Sequence, residues 1–157
     1  MRGDDVDTAR LFYEAGAPLT ENRCRNVLTT LLRGVLPFEI DCVPERAMPN
    51  GKRADLALTI AALQLPLEAK GQWNPQLWTG ATDQLDRLYT KEWRASGAGI
   101  YLVFWFGPNV TDGRKLKGPP KGIDTPTSPE ALESALSAGL PELRRADLSI
   151  FVFDVSL

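Results

Sequence analysis

Histidine is absent from the 157-residue chain, and cysteine occurs only twice, as Cys24 and Cys42. Without an imidazole, serine and cysteine triads that use a histidine base, HNH nucleases and most zinc hydrolases are excluded. Two thiols cannot build a disulfide framework or a four-cysteine zinc site. They leave room for a single bridge and otherwise read as small buried hydrophobes. No apolar run approaches the ~18 residues of a membrane span, and the polar N-terminus carries no signal-peptide core, so the expected location is cytoplasmic with no membrane partner. A basic excess is missing too: 18 Lys and Arg stand against 20 Asp and Glu, a net charge of −2. Any polyanion would have to be met by a local basic surface.

What is present is the composition of an ordinary globular protein, 43% hydrophobic and 24% charged, at a length that fits one domain burying roughly 68–70% of its unfolded surface. The chemistry is concentrated between Arg53 and Gly71, a stretch that reads as a β-hairpin. Alternate side chains of a strand share a face. Glu68 and Lys70 therefore point one way while Leu67 and Ala69 point the other, and Asp55 is set apart from Leu56, Leu58 and Ile60 by the same rule. Folding about Ala61-Ala62 puts Asp55 across from Glu68, where facing Cβ atoms are about 4.5–5.5 Å apart. Ala-Ala lacks the Gly or Asn that supplies positive φ, so a longer tip is the alternative. Two opposed carboxylates destabilise a strand pair unless something binds them. A magnesium ion held by one or two carboxylates plus phosphate and water does so. Lys70 would then hold the water or neutralise charge developing on a phosphodiester.

Asp55, a hairpin, then Glu68-Ala69-Lys70, with a helix before and a glutamine-bearing helix after, resembles the PD-(D/E)XK, or restriction-endonuclease-like, nuclease superfamily over about residues 20–157. Ala54 stands where that pattern often has proline. The resemblance implies an α/β fold, a central mixed sheet flanked by helices in the order αβββαβ, here followed by a further helix and strand. It also implies Mg2+, with Mn2+ able to substitute, held by Asp55, Glu68 and the Ala69 carbonyl, and Lys70 as the catalytic cation. Metal-dependent endonuclease activity is the expectation, with DNA favoured over RNA and a setting in phage defence, restriction or toxin action. A transfer-RNA-cleaving toxin and a catalytically inactive binding or assembly module are the alternatives. A homodimer, or a larger host protein or complex, is the partner expectation.

Outside the hairpin, residues 1–19 read as an N-terminal extension or docking helix, and residues 20–157 as the nuclease-like domain. Thr20 is placed to cap a helix whose apolar positions run from Val27 to Val35. Glu21 in its first turn is either an acid favoured by the helix dipole or, as the resemblance implies, a further metal or water ligand. Phe38 to Val43 reads as a strand, and Asn50-Gly51 as a turn. A helix is expected over about residues 75–95, carrying Gln84, Arg87, Lys91 and Arg94 at helical spacing. That stripe is either a solvated face or a phosphate-backbone contact. The resemblance puts Gln84 near the active site. Trp73 and Trp78 read as packing residues. The long loop from Asn109 to Pro129, with Lys115 and Lys117, is a second candidate nucleic-acid contact or a flexible solubilising segment. Gly99 to Phe106 reads as a strand buried on both faces, Ser128 as the cap of a helix through Ala138, and Leu148 to Val155 as the last strand.

Overall fold

Ala61 adopts a φ of 50°, and that left-handed residue closes the central hairpin in two residues, so the longer tip does not form. A computed structural model describes residues 8–47, 53–90, 95–110 and 113–157. After a 3₁₀ turn at Thr8–Phe12 come a ribbon of β1 (Tyr13–Glu14) and β2 (Ala17–Pro18), then α1 (Glu21–Val35), β3 (Asp41–Ala47), β4 (Arg53–Ile60) and β5 (Leu63–Gly71). A π-helix (Ala81–Tyr89), β6 (Gly99–Trp105), α2 (Pro129–Ala138), a 3₁₀ turn and β7 (Leu148–Asp154) complete the chain. The fold is α/β. One five-stranded mixed sheet has the order β3-β4-β5-β6-β7, antiparallel through β5 and parallel from β5 to β7.

Helices and sheet bury two apolar clusters. Tyr101, Val103 and Trp105 of β6 pack with Leu77, Ala81 and Leu85 around the π-helix. Leu67, Ala69, Leu102 and Phe104 pack with Cys24 and Leu28 of α1. Phe12 belongs to this second cluster, fully buried against the rings of Phe104 and Phe153, so the N-terminal segment docks on the sheet from Thr8 onward. Both cysteines are buried free thiols, and burial pushes Cys24 up to about 12. Among the described residues no helix is long and apolar enough to cross a membrane.

Two expected elements differ. The first strand starts at Asp41 rather than Phe38, which is 94% exposed, and it runs on through Pro44. Proline fits there because β3 is a sheet edge, where a missing N–H costs no ladder bond. The helix expected from 75 begins only at Ala81, because residues 72–79 are spent in turns, such as Leu77 N–H to Asn74 O at 3.0 Å. Its winding closes with Thr90 N–H to Leu85 O, an i→i+5 bond. The expected Asn50-Gly51 turn lies outside the described residues. By contrast α2 forms as read, with Ser128 Oγ accepting from Ala131 N–H at 3.2 Å and Gly139 at its end.

Candidate active site

Paired rungs between β4 and β5 run from Ile60–Leu63 to Leu56–Leu67. The pairing ends there, and the Asp55 charge lies close enough to act on Glu68. There the Asp55 side chain takes the place of the next rung: its Oδ2 accepts the Ala69 N–H at 3.0 Å. Its Oδ1 is ion-paired with Arg25 of α1. Burial pushes Asp55 upward, against the pull of the Ala69 N–H, Arg25 and Lys70.

Glu68 and Lys70 share the β5 face that meets Tyr101 and Val103 of β6. Their ion pair is short, 2.6 Å from Nζ to Oε1, and both residues are buried, at 3% and 6% exposure. Glu68 Oε2 is also buried and finds no hydrogen-bond partner among the described residues. Burial, then the nearby Asp55 charge, pushes the Glu68 carboxyl up to about 7, with Lys70 and Arg25 opposing. Asp55 and Glu68 are thus each paired with one cation, Arg25 and Lys70.

Glu21 anchors the end of the strand. Its Oε2 accepts from Gly71 N–H at 2.9 Å and from Asn74 Nδ2 at 2.7 Å, and its charge adds to the upward push on Asp55. It therefore does more than complement the helix dipole: it ties α1 to the residue after Lys70. Gly71 itself has no room for a side chain, since a Cβ would lie 2.6 Å from the Trp73 ring.

The fold therefore brings Asp55, Glu68, Lys70 and Ala69 together, with Glu21 beside them. Ala69 enters through its N–H. Gln84 sits on the π-helix, which packs on β5 and β6, and donates to Gln76 Oε1 at 2.8 Å. Its own Oε1 is buried without a partner among the described residues. Arg87 is exposed on the same helix, whereas Lys91 and Arg94 lie outside the described residues. The expected Gln84–Arg87 spacing assumed α-helical winding, and the i→i+5 bonding over Ala81–Tyr89 does not keep that alignment.

Lys115 and Lys117 are exposed, but the loop that carries them is pinned. Gln72 Nε2 donates to Arg114 O at 2.9 Å, Lys117 N–H donates to Gln72 O, and Trp78 Nε1 donates to Lys117 O. The Arg114 guanidinium lies 4.4 Å over the Trp73 ring. The flexible-segment reading is corrected at these points: the side chains that fasten it come from the turn after β5. Trp73 and Trp78 act in packing, as expected.

Arg25, Gln72, Asn74 and Tyr101 are the participants that sequence reasoning missed. One signal was available, since Glu21 and Arg25 are four apart on α1 and so share a face. Tyr101, in register with Glu68, donates to Leu77 O at 2.9 Å and fixes the turn that launches the π-helix.

Two cavities of about 540 and 520 Å³ lie between the N-terminal ribbon and residues after β6, away from Asp55 and Glu68. Asp55 borders a smaller cleft of about 170 Å³ with α1 and Pro44. Arg25 and Asp55 meet at this smaller cleft. Among the described residues no cluster of three Asp, Glu or Cys side chains forms a ready-made metal cage. A hard cation completed by substrate and water needs only one or two carboxylates, and the buried partnerless oxygen of Glu68 beside Asp55 fits that requirement.

This is an α/β protein whose buried carboxylate-lysine cluster lies at the end of a central strand. The family profile of a domain of unknown function, DUF8371, matches residues 4–108, and the chain belongs to that family. The match includes every residue of the cluster. No curated protein and no solved structure matches the chain.

Proposed function

We propose that this chain is a metal-dependent nuclease of the PD-(D/E)XK, restriction-endonuclease-like kind that hydrolyses phosphodiester bonds, with DNA the favoured substrate. One observation carries the reading: Glu68, bonded to Lys70 and close to the Asp55 charge, keeps a buried carboxylate oxygen with no hydrogen-bond partner among the described residues. Leaving such a group unmet costs about 1–3 kcal/mol or more when it is charged, so a ligand at that oxygen is favoured.

Asp55 and Glu68 would hold Mg2+ or Mn2+, with the Ala69 carbonyl and Glu21 as further oxygen donors. Such an ion supplies Lewis acidity toward phosphate oxygen and acidifies water. The chain supplies the rest. The Ala69 N–H fixes Asp55, and Glu21 fixes the strand end. Lys70, a compact cation in a shielded setting, turns from Glu68 toward the phosphate and stabilises the charge that builds there. Gln84 offers an amide from the π-helix, and exposed Arg87, Lys115 and Lys117 offer backbone contacts.

Purified protein tested on supercoiled plasmid, linear duplex, single strands and RNA, with Mg2+, Mn2+ or EDTA, decides the matter. Cutting that requires metal supports the nuclease, and the preferred substrate separates DNA from RNA cleavage. No cutting by folded protein in Mn2+ would contradict it. The two internal ion pairs, Arg25–Asp55 and Lys70–Glu68, favour a second reading, a nuclease-fold binding or assembly module with a self-neutralised site. Nucleic-acid binding that survives Asp55→Ala, without any cleavage by the parent protein, is its signature.

A further inference from the structure

Arg25 stands where a cation would stand. Its Nη1 is paired with Asp55 Oδ1 and its Nη2 donates to Asn22 Oδ1. Its Nε is buried with no partner among the described residues. The Arg25–Asp55 pair is largely covered, at 17% and 15% side-chain exposure. Next to it opens the cleft of about 170 Å³, where Asn22, Asn26 and Thr29 of α1 face Pro44.

Both Asp55 oxygens already have a partner. Oδ2 already receives the Ala69 N–H, and Oδ1 is taken by the guanidinium. A divalent cation that claims Oδ1 must compete with Arg25, and a released guanidinium needs a new anion. Its planar fork matches phosphate oxygens, and the two asparagine amides in the adjoining cleft add neutral donors.

We propose that Arg25 is an exchangeable phosphate-binding residue. It neutralises Asp55 in the metal-free protein, and when a divalent cation takes that carboxylate it turns into the cleft and binds a phosphate of the nucleic acid. The proposal rests on the nuclease reading of the same site and adds a linkage to it. Metal and nucleic acid each strengthen the other's binding, by the same factor, through one side chain.

Arg25→Met and Arg25→Lys test this without any cleavage assay, with circular dichroism to establish that each variant is folded. Mn2+ affinity is read by electron paramagnetic resonance titration. Affinity for a short fluorescein-labelled DNA duplex is read by anisotropy with and without Ca2+, a hard cation of similar oxygen preference. Removal of the competing guanidinium in Arg25→Met should tighten Mn2+ binding about fivefold or more, the lower end of ordinary coupling. The gain in duplex affinity that Ca2+ gives the wild type should fall by a similar factor. Arg25→Lys, which keeps a charge without the fork, should lie between.

Equal Mn2+ affinity in wild type and Arg25→Met, or an undiminished Ca2+ gain, would overturn the exchange and leave the nuclease reading intact. Failure of all three folded proteins to bind Mn2+ would remove the metal site, and the exchange with it.

Discussion

Glu68, near the end of β5, and Gln72, in the turn just after it, are both shielded from water, and their polar atoms are treated oppositely. Gln72 is satisfied throughout. Its amide donates to Gly107 O and Arg114 O at 3.0 and 2.9 Å, and its carbonyl accepts the Phe106 N–H at 2.8 Å. Glu68 has one bond, to Lys70, and one buried oxygen with no partner among the described residues. A buried polar group that is fully bonded fixes structure, here by strapping a long loop to the sheet. A buried charged group left partly unmet is held in place by the surrounding fold and is available to a ligand. The strand and the turn after it thus carry a fully bonded polar group and a partly unmet one four residues apart, with Glu21 fastened to Gly71 between them.

The comparison breaks most visibly in turnover. Asp55→Ala and Glu68→Gln should each lower metal-dependent cleavage by about 10²–10³-fold or more, measured as initial nicking rates at matched folded fraction. Near wild-type rates in either variant would remove that carboxylate from the site.

Next is pH. The Glu68 carboxyl is raised from an ordinary 4.5 to about 7, so the folded state holds this proton more tightly than the unfolded state. Its contribution to stability is complete below about pH 4.5 and is lost as pH rises through about 7. Asp55 is raised as well and acts in the same direction. The Glu68 shift corresponds to about 3 kcal/mol at ~1.4 kcal/mol per unit. Denaturant midpoints of metal-free protein should therefore fall between pH 5 and 8, and Glu68→Gln should flatten the fall. Added Mg2+ should restore more stability at pH 8 than at pH 5. A fall unchanged in Glu68→Gln would move its origin elsewhere.

Gln72→Ala should destabilise by about 1–3 kcal/mol, through the unmet Phe106 N–H and the freed loop carbonyls. The smallest effect belongs to exposed Arg87. Arg87→Glu should weaken DNA binding modestly and lower the slope of log K against log salt by about one per lost phosphate contact. An unchanged slope would return Arg87 to the solvated face.

How much of this was legible follows from how local each signal was. Glu68 and Lys70 were readable from strand alternation, and the two-residue hairpin fixes the pairing as far as Leu56–Leu67, whereas the bond of Asp55 to the Ala69 N–H beyond it was not readable. The hairpin tip was harder, because Ala61 takes a positive φ that its type does not advertise. Pro44 hid the true extent of β3, since only its place at a sheet edge makes it tolerable. The π-winding of Ala81–Tyr89 left no trace in the apolar period, because Ala81 and Leu85 are buried in either winding. Gln72 and Arg25 act on partners thirty or more residues away, and no local pattern reports such partners. Glu21 was visible as an acid in the right helix turn, while its bond to Gly71 depended on the tertiary fold.

The most direct test of the central contrast is plasmid cleavage in Mn2+ by wild type, Lys70→Ala and Gln72→Ala, each compared per folded molecule. The account predicts that Lys70→Ala is inactive while Gln72→Ala, though less stable, cuts at close to the wild-type rate. Wild-type cleavage by Lys70→Ala would contradict it.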